Sequence, residues 1–199
     1  MLYLYCNVIC LVFSRGMQLK CGLFDFIQSE MGISIMPLQF TTMRILLQRV
    51  QKAKITINGE IERNIGKGTV VFVGFRSDDT REIVKKMAEK MLNLRYFEDS
   101  EGKTNSSIQE VFGEMLIVSQ FTLYADTRKG RRPSFIDAAR PEVAIPLYEY
   151  FVEIVKKSSL HIETGEFGAN MLVEIHNDGP FTLWLDSEEK SSSIKSSSL

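Results

Sequence analysis

The sequence predicts one mixed α/β domain, of the α+β kind, that is rich in strands and carries two main helices. Three observations predict it. Most apolar segments are short and either alternate with polar residues or run unbroken, which is the pattern of strands. Two segments carry apolar residues at helical spacing. Across the 199 residues there is no internal repeat and no sign of a second domain.

The composition sets the limits of this domain. Hydrophobic residues make up 44% of the chain and charged residues 25%, a balance that allows a buried core. The ends differ: residues 1–42 contain all three cysteines, and residues 188–199 are mostly Ser, Lys and Glu. We therefore predict a folded domain at 43–187, an atypical extension at 1–42 and a disordered tail at 188–199. A net charge of −1 means that any polyanion would bind a local basic patch.

The extension begins with a nearly uncharged run, Leu2 to Phe13. This run has the length of a signal-peptide core and is too short to span a bilayer, but no Lys or Arg precedes it and no cleavage site follows. We favour a translation start at an internal methionine, as late as Met43, over a signal or anchor. No cysteine follows Cys21, so the domain has no disulfide framework and a cytoplasmic location is expected.

The first half of the domain reads as strands followed by a helix. Asn58-Gly59 is a two-residue hairpin turn. Asp79 and Glu82 have the spacing of a capping box before an amphipathic helix, in which Met87 and Met91 are core residues. The predicted strands are Arg44–Val50, Lys54–Ile57, Glu60–Ile65, Thr69–Val73 and Leu94–Phe97.

The second half reads as a strand, a helix and further strands. Met115–Tyr124 is predicted as a strand, and Pro141 is placed for the first turn of a helix. Pro146 should kink this helix or delay its start. The remaining predicted strands are His161–Thr164, Met171–His176 and Phe181–Asp186.

Candidate functional residues lie where the strand at Met115 ends. Its apolar run is followed by Ser119, Gln120 and Thr122, and buried polar groups cost free energy unless they find partners. A basic loop comes next, whose four cations could contact phosphates or could simply be solvated. These cations are Arg128, Lys129, Arg131 and Arg132.

Three other patterns could carry chemistry. Two histidines without a nearby cysteine give no zinc-ligand spacing, so no metal is expected. Ser119 or Thr122 could join His176 in a hydrolytic triad, although neither has the sequence context of a nucleophile elbow, and both could equally be hydrogen-bonding strand residues. Asn177–Pro180 reads by default as a tight turn between two strands.

Two separated motifs, however, closely resemble the D-aminoacyl-tRNA deacylases. They are Ser119-Gln120-Phe121-Thr122-Leu123, continuing to Phe135, and Asn177-Asp178-Gly179-Pro180-Phe181-Thr182. The resemblance runs without a break from Met43 to Ser187. It implies a strand-rich, barrel-like mixed sheet with two helices, no cofactor, and hydrolysis of the ester that joins a D-amino acid or glycine to the terminal adenosine of tRNA.

The resemblance also implies the organisation of the site. It implies a homodimer in which the strand end of one subunit meets Gly179-Pro180, as a cis peptide, from the other. No side chain is needed as nucleophile, because the 2′-hydroxyl of the adenosine assists the attacking water. The residues implied are Ser119, Gln120, Phe121 and Thr122 for catalysis, with the amides of Phe121 and Thr122 as oxyanion donors; Gly179, Pro180 and Arg49 for substrate binding; and Arg128, Lys129, Arg131 and Arg132 for tRNA.

Two alternatives from other functional classes stay open at this stage. One is a non-catalytic RNA-binding module that uses the basic loop. The other is a conventional esterase with Ser119 or Thr122 as the nucleophile.

Overall fold

The structure is a computed structural model that describes residues 43–187, so the expectations for residues 1–42 and 188–199 lie outside the described residues. The described residues form eight strands, two α-helices and one short 3₁₀ helix. In chain order the elements are β1 (Arg44–Ile57), β2 (Ile61–Ile65), β3 (Gly68–Gly74), α1 (Arg81–Asn93), β4 (Arg95–Glu98), β5 (Thr104–Ser107), β6 (Glu114–Ser119), the 3₁₀ helix (Phe121–Tyr124), α2 (Pro141–Lys156), β7 (Ile162–Thr164) and β8 (Met171–Asp186).

Strand β1 organises the main sheet. Along one side it pairs antiparallel first with β3 and then with β2, and along the other side it pairs antiparallel with β8. Strands β3, β6 and β7 follow one another in parallel, so the sheet is mixed. Arg63 on β2 donates hydrogen bonds to the carbonyl and hydroxyl oxygens of Thr164 on β7. The sheet therefore curls into a nearly closed, barrel-like shape, as expected.

The central strands are buried on both faces because the curled sheet has two separate cores. Val71 and Val73 on β3 face the core that packs under both helices. Val70, between them, faces the smaller core inside the curl. Successive side chains of a strand point to opposite faces, and here both faces are buried. This explains the unbroken apolar runs of β3 and β6. Met87 and Met91 of α1 are buried in the helix-side core, as predicted.

The predicted turn at Asn177–Pro180 is wrong. Both flanking segments belong to β8 and pair with the same strand, so the chain does not reverse direction there. Asn177 pairs with Val50 and Thr182 pairs with Gln48, which leaves four residues of β8 opposite the single residue Arg49. The segment is thus a large bulge in an otherwise continuous strand, and bulges are over-represented next to active sites. We call residues 178–181 the bulge segment.

Other differences from the predicted elements are local. The helix cap is Thr80, whose hydroxyl accepts from the N–H of Ile83, whereas Asp79 accepts from the N–H of Arg76. Helix α2 begins at Pro141 without delay and contains Pro146. Strand β6 ends at Ser119, earlier than predicted, and the chain turns into the 3₁₀ helix. Among the described helices, none is long and apolar enough to cross a membrane.

Candidate active site

The polar residues after β6 lie on a short 3₁₀ helix that is pressed against β3. The N–H of Gln120 donates to the carbonyl oxygen of Val73 at 2.8 Å, which continues the parallel pairing of the two strands by one bond. Gly74 permits the close approach of the helix. A Cβ on Gly74 would lie 2.9 Å from the carbonyl oxygen of Gln120 and 3.0 Å from the ring of Tyr124.

The first turn of this helix leaves main-chain donors unpaired. The N–H groups of Phe121 and Thr122 have no hydrogen-bond acceptor within residues 43–187, as is usual for the start of a helix. The side-chain amide of Gln120 donates to the hydroxyl of Thr122, so these two polar side chains are paired with each other. The arrangement offers two neighbouring N–H groups to an incoming oxygen atom.

Arg44 fixes the other end of the 3₁₀ helix. Its Nη1 donates to the carbonyl oxygen of Leu123 at 2.9 Å, and its guanidinium lies over the ring of Tyr124 at 4.7 Å. Its Nε forms an ion pair with Asp186 at 3.2 Å, while Trp184 flanks it at 5.5 Å. A cation that binds a carbonyl in the last turn of a helix also complements the helix dipole. The sequence analysis missed this role, because an arginine at the start of a strand carries no local signal of it.

A cavity of about 400 Å³ opens beside the 3₁₀ helix. Ser119, Gln120 and Phe121 form one wall. The rest is mostly apolar and includes Phe75, Ala144 and Phe167. A concave and largely apolar cavity with a few convergent polar groups is typical of a small-ligand site.

Arg49 holds the bulge segment in place. Arg49 is only 7% exposed, and its Nε donates to the carbonyl oxygen of Asp178 at 3.2 Å and pairs with the carboxylate of the same residue at 3.4 Å. Its guanidinium lies 4.8 Å from the centre of the Phe181 ring. Gly179 and Pro180 are exposed, Gly179 has a φ of +128°, and the Gly179-Pro180 peptide is cis.

The bulge segment and the 3₁₀ helix are not brought together within one chain. No hydrogen bond or ring contact among residues 43–187 joins Gly179 or Pro180 to Ser119–Thr122, and neither residue lines the cavity. Apart from the basic loop, the predicted site residues therefore form two separate groups, one held by Arg44 and the other by Arg49.

The basic loop is closed by a pair of backbone hydrogen bonds between Asp126 and Ser134, of 2.8 and 2.9 Å. Gly130, with a φ of +70°, lies at its exposed tip. Arg128 makes a two-pronged ion pair with Asp126, and this hydrogen bonding lowers the pKa of the Asp126 carboxyl to about 2. The guanidinium of Arg128 is thus ion-paired with Asp126. All four cations of the loop, including Arg128, are exposed.

The base of the loop reaches the site through two aromatic rings. Phe135 packs edge-to-face on Phe121, with ring centres 5.0 Å apart. Phe121 itself is 56% exposed at the edge of the cavity. The basic loop therefore stands beside the entrance to the cavity.

Asp79 carries the most perturbed carboxyl of this region. It is 7% exposed, and burial raises its pKa to about 6, with the nearby charges of Asp78 and Asp186 adding to the effect. Since Asp186 is the ion-pair partner of Arg44, the charge of Asp79 lies close to the anchor of the 3₁₀ helix.

The geometry does not assemble a triad. Neither His161 nor His176 hydrogen-bonds to Ser119 or Thr122, and His161 lies instead 3.6 Å from Glu163. Within the described part of the chain, no group of three or more His, Cys, Asp or Glu residues could hold a metal ion. The groups that the site offers to a substrate are main-chain N–H donors, amide and hydroxyl side chains, and an apolar wall.

Comparisons with known proteins identify relatives of this chain. The model of a family described as D-Tyr-tRNA(Tyr) deacylase matches residues 46–186. The D-aminoacyl-tRNA deacylase of Fervidobacterium nodosum is 53% identical over 147 residues, which cover 74% of this chain and 99% of that protein. The D-aminoacyl-tRNA deacylase of Lactobacillus helveticus is 53% identical over 144 residues, covering 72% and 99%.

Two solved structures share the fold. One is titled "c-Myc DNA Unwinding Element Binding Protein" and has a TM-score of 0.67 at 41% identity, covering 71% of this chain and 97% of that one. The other is titled a probable eukaryotic D-amino acid tRNA deacylase and has a TM-score of 0.66 at 22% identity, covering 73% and 99%.

Fold and relatives together define an enzyme of the hydrolase class that acts on ester bonds. The chain belongs to the D-Tyr-tRNA(Tyr) deacylase family, whose model matches almost all of the described residues.

Proposed function

We propose that the protein hydrolyses the ester of D-aminoacyl-tRNA, releasing free tRNA and the D-amino acid, and so removes wrongly charged tRNA before translation uses it. The observation that carries this proposal is the pair of unpaired N–H groups at Phe121 and Thr122, next to the cavity. The family and the names of the relatives support the choice of substrate.

The chemistry needs only positioned donors and water. A water molecule adds its oxygen to the ester carbonyl carbon, and the carbonyl oxygen becomes an oxyanion that the N–H groups of Phe121 and Thr122 stabilise. The bond from this carbon to the 3′-oxygen of the adenosine then breaks, and the 3′-oxygen takes the proton that the attacking water gives up. The neighbouring 2′-hydroxyl of the adenosine assists the proton transfer. An aminoacyl ester is already reactive, so positioning and oxyanion stabilisation supply the acceleration.

The active site lies at the interface of a homodimer. Its support is the separation of the two groups of site residues within one chain. The 3₁₀ helix of one subunit supplies Ser119, Gln120, Phe121 and Thr122, and the partner supplies Gly179 and Pro180 from its bulge segment. Arg49 of the partner's own chain holds that segment in place through its contacts with Asp178 and Phe181.

Selection between mirror-image substrates comes from backbone. The Gly179-Pro180 backbone meets the α-carbon of the bound aminoacyl group, where an L side chain collides with it and a D side chain points away. Rejection by collision makes no use of side-chain chemistry, so one site serves many D-amino acids. Glycine has no side chain to collide, and Gly-tRNA is therefore cleaved as well.

The tRNA is held by cations of the exposed basic loop, Lys129, Arg131 and Arg132, which contact backbone phosphates beside the cavity. Arg128 contributes through the loop's shape, since it is paired with Asp126. Translation quality control places the protein in the cytoplasm.

Deacylation of charged tRNA tests the proposal directly. Purified protein should release D-tyrosine from D-Tyr-tRNA and glycine from Gly-tRNA, and should leave L-Tyr-tRNA almost intact. Efficient cleavage of L-Tyr-tRNA would overturn the steric account. If no charged tRNA is cleaved although tRNA still binds, a second candidate function, that of a non-catalytic nucleic-acid-binding module, would be favoured.

That second candidate is a non-catalytic nucleic-acid-binding module. It is favoured by the exposed basic loop and by the DNA-element-binding title of one structural neighbour. A conventional esterase is disfavoured by the absence of a histidine hydrogen-bonded to Ser119 or Thr122 in the described chain. A covalent reagent directed at hydroxyl nucleophiles separates the two enzymes, because it inactivates only the conventional esterase.

A further inference from the structure

Two hydroxyl groups are buried deep in the protein without a part in the proposed chemistry. Thr69 on β3 is fully buried, and Tyr96 on β4 is 1% exposed. Their hydroxyl oxygens lie 2.9 Å apart and share one hydrogen bond. A buried pair of this kind adds little net stability over an apolar pair of the same shape, because both hydroxyls have lost their bonds to water. Folding alone therefore does not account for it.

Tyr96 contacts both Arg49, which binds the bulge segment, and Phe181, which is the last residue of that segment. Its carbonyl oxygen accepts a hydrogen bond of 2.9 Å from Nη1 of Arg49. Its ring stacks on the ring of Phe181, with centres 6.3 Å apart and planes 28° apart. The ring of Phe97 lies on it at 4.6 Å. Tyr96 is thus the point where the core meets the bulge segment.

Within residues 43–187, the polar contacts of the bulge segment are made by Arg49 and by the residues at its own two ends. Arg49 binds the carbonyl oxygen of Asp178 and covers the ring of Phe181. The N–H of Phe181 donates to Oδ1 of Asn177 at 2.8 Å, which ties the two ends of the bulge together. Gly179 lies between these ties, and a Cβ on it would be 3.2 Å from Nη2 of Arg49.

We propose that Tyr96 is a positioning residue for the bulge segment: its hydroxyl bond to Thr69 fixes the carbonyl that orients Arg49 and the ring that supports Phe181, and so sets the discrimination between D and L substrates. The last part rests on the proposed function, whereas the positioning of the segment does not. Tyr96 touches no substrate and acts through Arg49 and Phe181.

The hydrogen bond between the hydroxyls of Thr69 and Tyr96 can be removed by two variants that should differ in their stability to unfolding. Tyr96→Phe alone leaves the Thr69 hydroxyl buried without a partner, which should lower the denaturant midpoint of unfolding. Adding Thr69→Val removes that orphaned group and should return the midpoint close to that of the wild type. The double variant should therefore be a folded protein that lacks only the hydrogen bond between the hydroxyls of Thr69 and Tyr96.

Hydrogen exchange at the N–H of Phe181 tests the positioning without any substrate. In the double variant this N–H should exchange faster than in the wild type, about three- to tenfold, the range expected from losing one net hydrogen bond. The N–H of Gly165, which donates to the carbonyl of Ile117 away from Tyr96, is the control and should exchange at the wild-type rate. Equal exchange at Phe181 in both proteins would overturn the proposal.

Kinetics on charged tRNA test the consequence for selectivity. The ratio of kcat/KM for D-Tyr-tRNA to that for L-Tyr-tRNA should fall about three- to tenfold in the double variant, chiefly through faster cleavage of the L substrate. An unchanged ratio in an active double variant would overturn the link to selectivity. A wild-type protein inactive on D-Tyr-tRNA would refute the proposed function instead, and the exchange rates would still decide the positioning role.

Discussion

Replacing Gly74 by alanine should damage the site while leaving the fold intact. The new Cβ would lie 2.9 Å from the carbonyl oxygen of Gln120, 3.0 Å from the ring of Tyr124 and 3.3 Å from Cβ of Leu123. The first two distances are shorter than ordinary carbon contacts by about 0.5 Å or more. The nearest atom is backbone, and no flexible side chain can give way, so the 3₁₀ helix must move.

The size of the effect follows from this crowding. Overpacking of this kind costs about 1–3 kcal/mol of folding free energy. A displacement near 1 Å at a reacting centre can cost about 100-fold in rate, so a shift of about half that size should lower the deacylation rate about tenfold. The loss should appear in kcat, because the N–H groups of Phe121 and Thr122 act on the transition state.

Single-turnover deacylation of D-Tyr-tRNA and urea denaturation measure the two effects separately. The matched control is Gly66→Ala, whose Cβ would meet only the side chain of Glu114, at an ordinary 3.6 Å. It should deacylate at the wild-type rate. A Gly74→Ala protein with the wild-type rate, or a Gly66→Ala protein that is equally slow, would refute the reasoning that the close approach positions the donors.

Three further predictions concern other parts of the site. Ser119→Ala and Thr122→Val should each retain appreciable deacylation, whereas tRNA whose terminal 2′-hydroxyl is replaced by hydrogen should be cleaved far more slowly; complete loss in a folded Thr122→Val protein would indicate covalent catalysis. Neutralising Arg131 and Arg132 together should weaken binding of all tRNAs and flatten the dependence of affinity on salt, and an unchanged slope would contradict phosphate contact. The pKa of Asp79 is raised from 3.8 to about 6 on folding, so its folded form binds the proton more tightly and stability falls as pH rises through that window. Asp79→Asn should remove this fall in the free energy of unfolding, which amounts to at most about 3 kcal/mol, in urea titrations at several pH values, and a wild-type pH profile would contradict it.

The elements that the sequence predicted best are those whose periodicity is set by burial. Strand β3 and helix α1 were predicted close to their observed positions because each buries a regular pattern of apolar side chains. Strand β5 was not predicted, since Thr104–Ser107 consists of polar residues only and has no apolar alternation. Strand β8 was predicted as two strands, because the polar bulge segment interrupts its pattern while both flanks keep the same partner.

The same contrast holds within the site. The identities of the residues after β6 were evident from polar side chains in a buried context, and two motifs indicated the family. Their geometry was not evident, because it depends on contacts far apart in the chain. Arg44 reaches Leu123, and Gly74 makes room for Gln120, yet neither residue stands in a local pattern that differs from an ordinary strand.

Strand β1 carries both anchors, Arg44 for the 3₁₀ helix and Arg49 for the bulge segment. In the proposed dimer each active site would then use Arg44 from one subunit and Arg49 from the other. A mixed dimer of an Arg44→Met chain and an Arg49→Met chain would place both defects in one site and leave the second site with both anchors. Two inactive proteins, unfolded and refolded together, should therefore recover up to about half of the wild-type activity per mixed dimer, as in intragenic complementation. If each anchor instead served a site within its own chain, mixing would restore nothing.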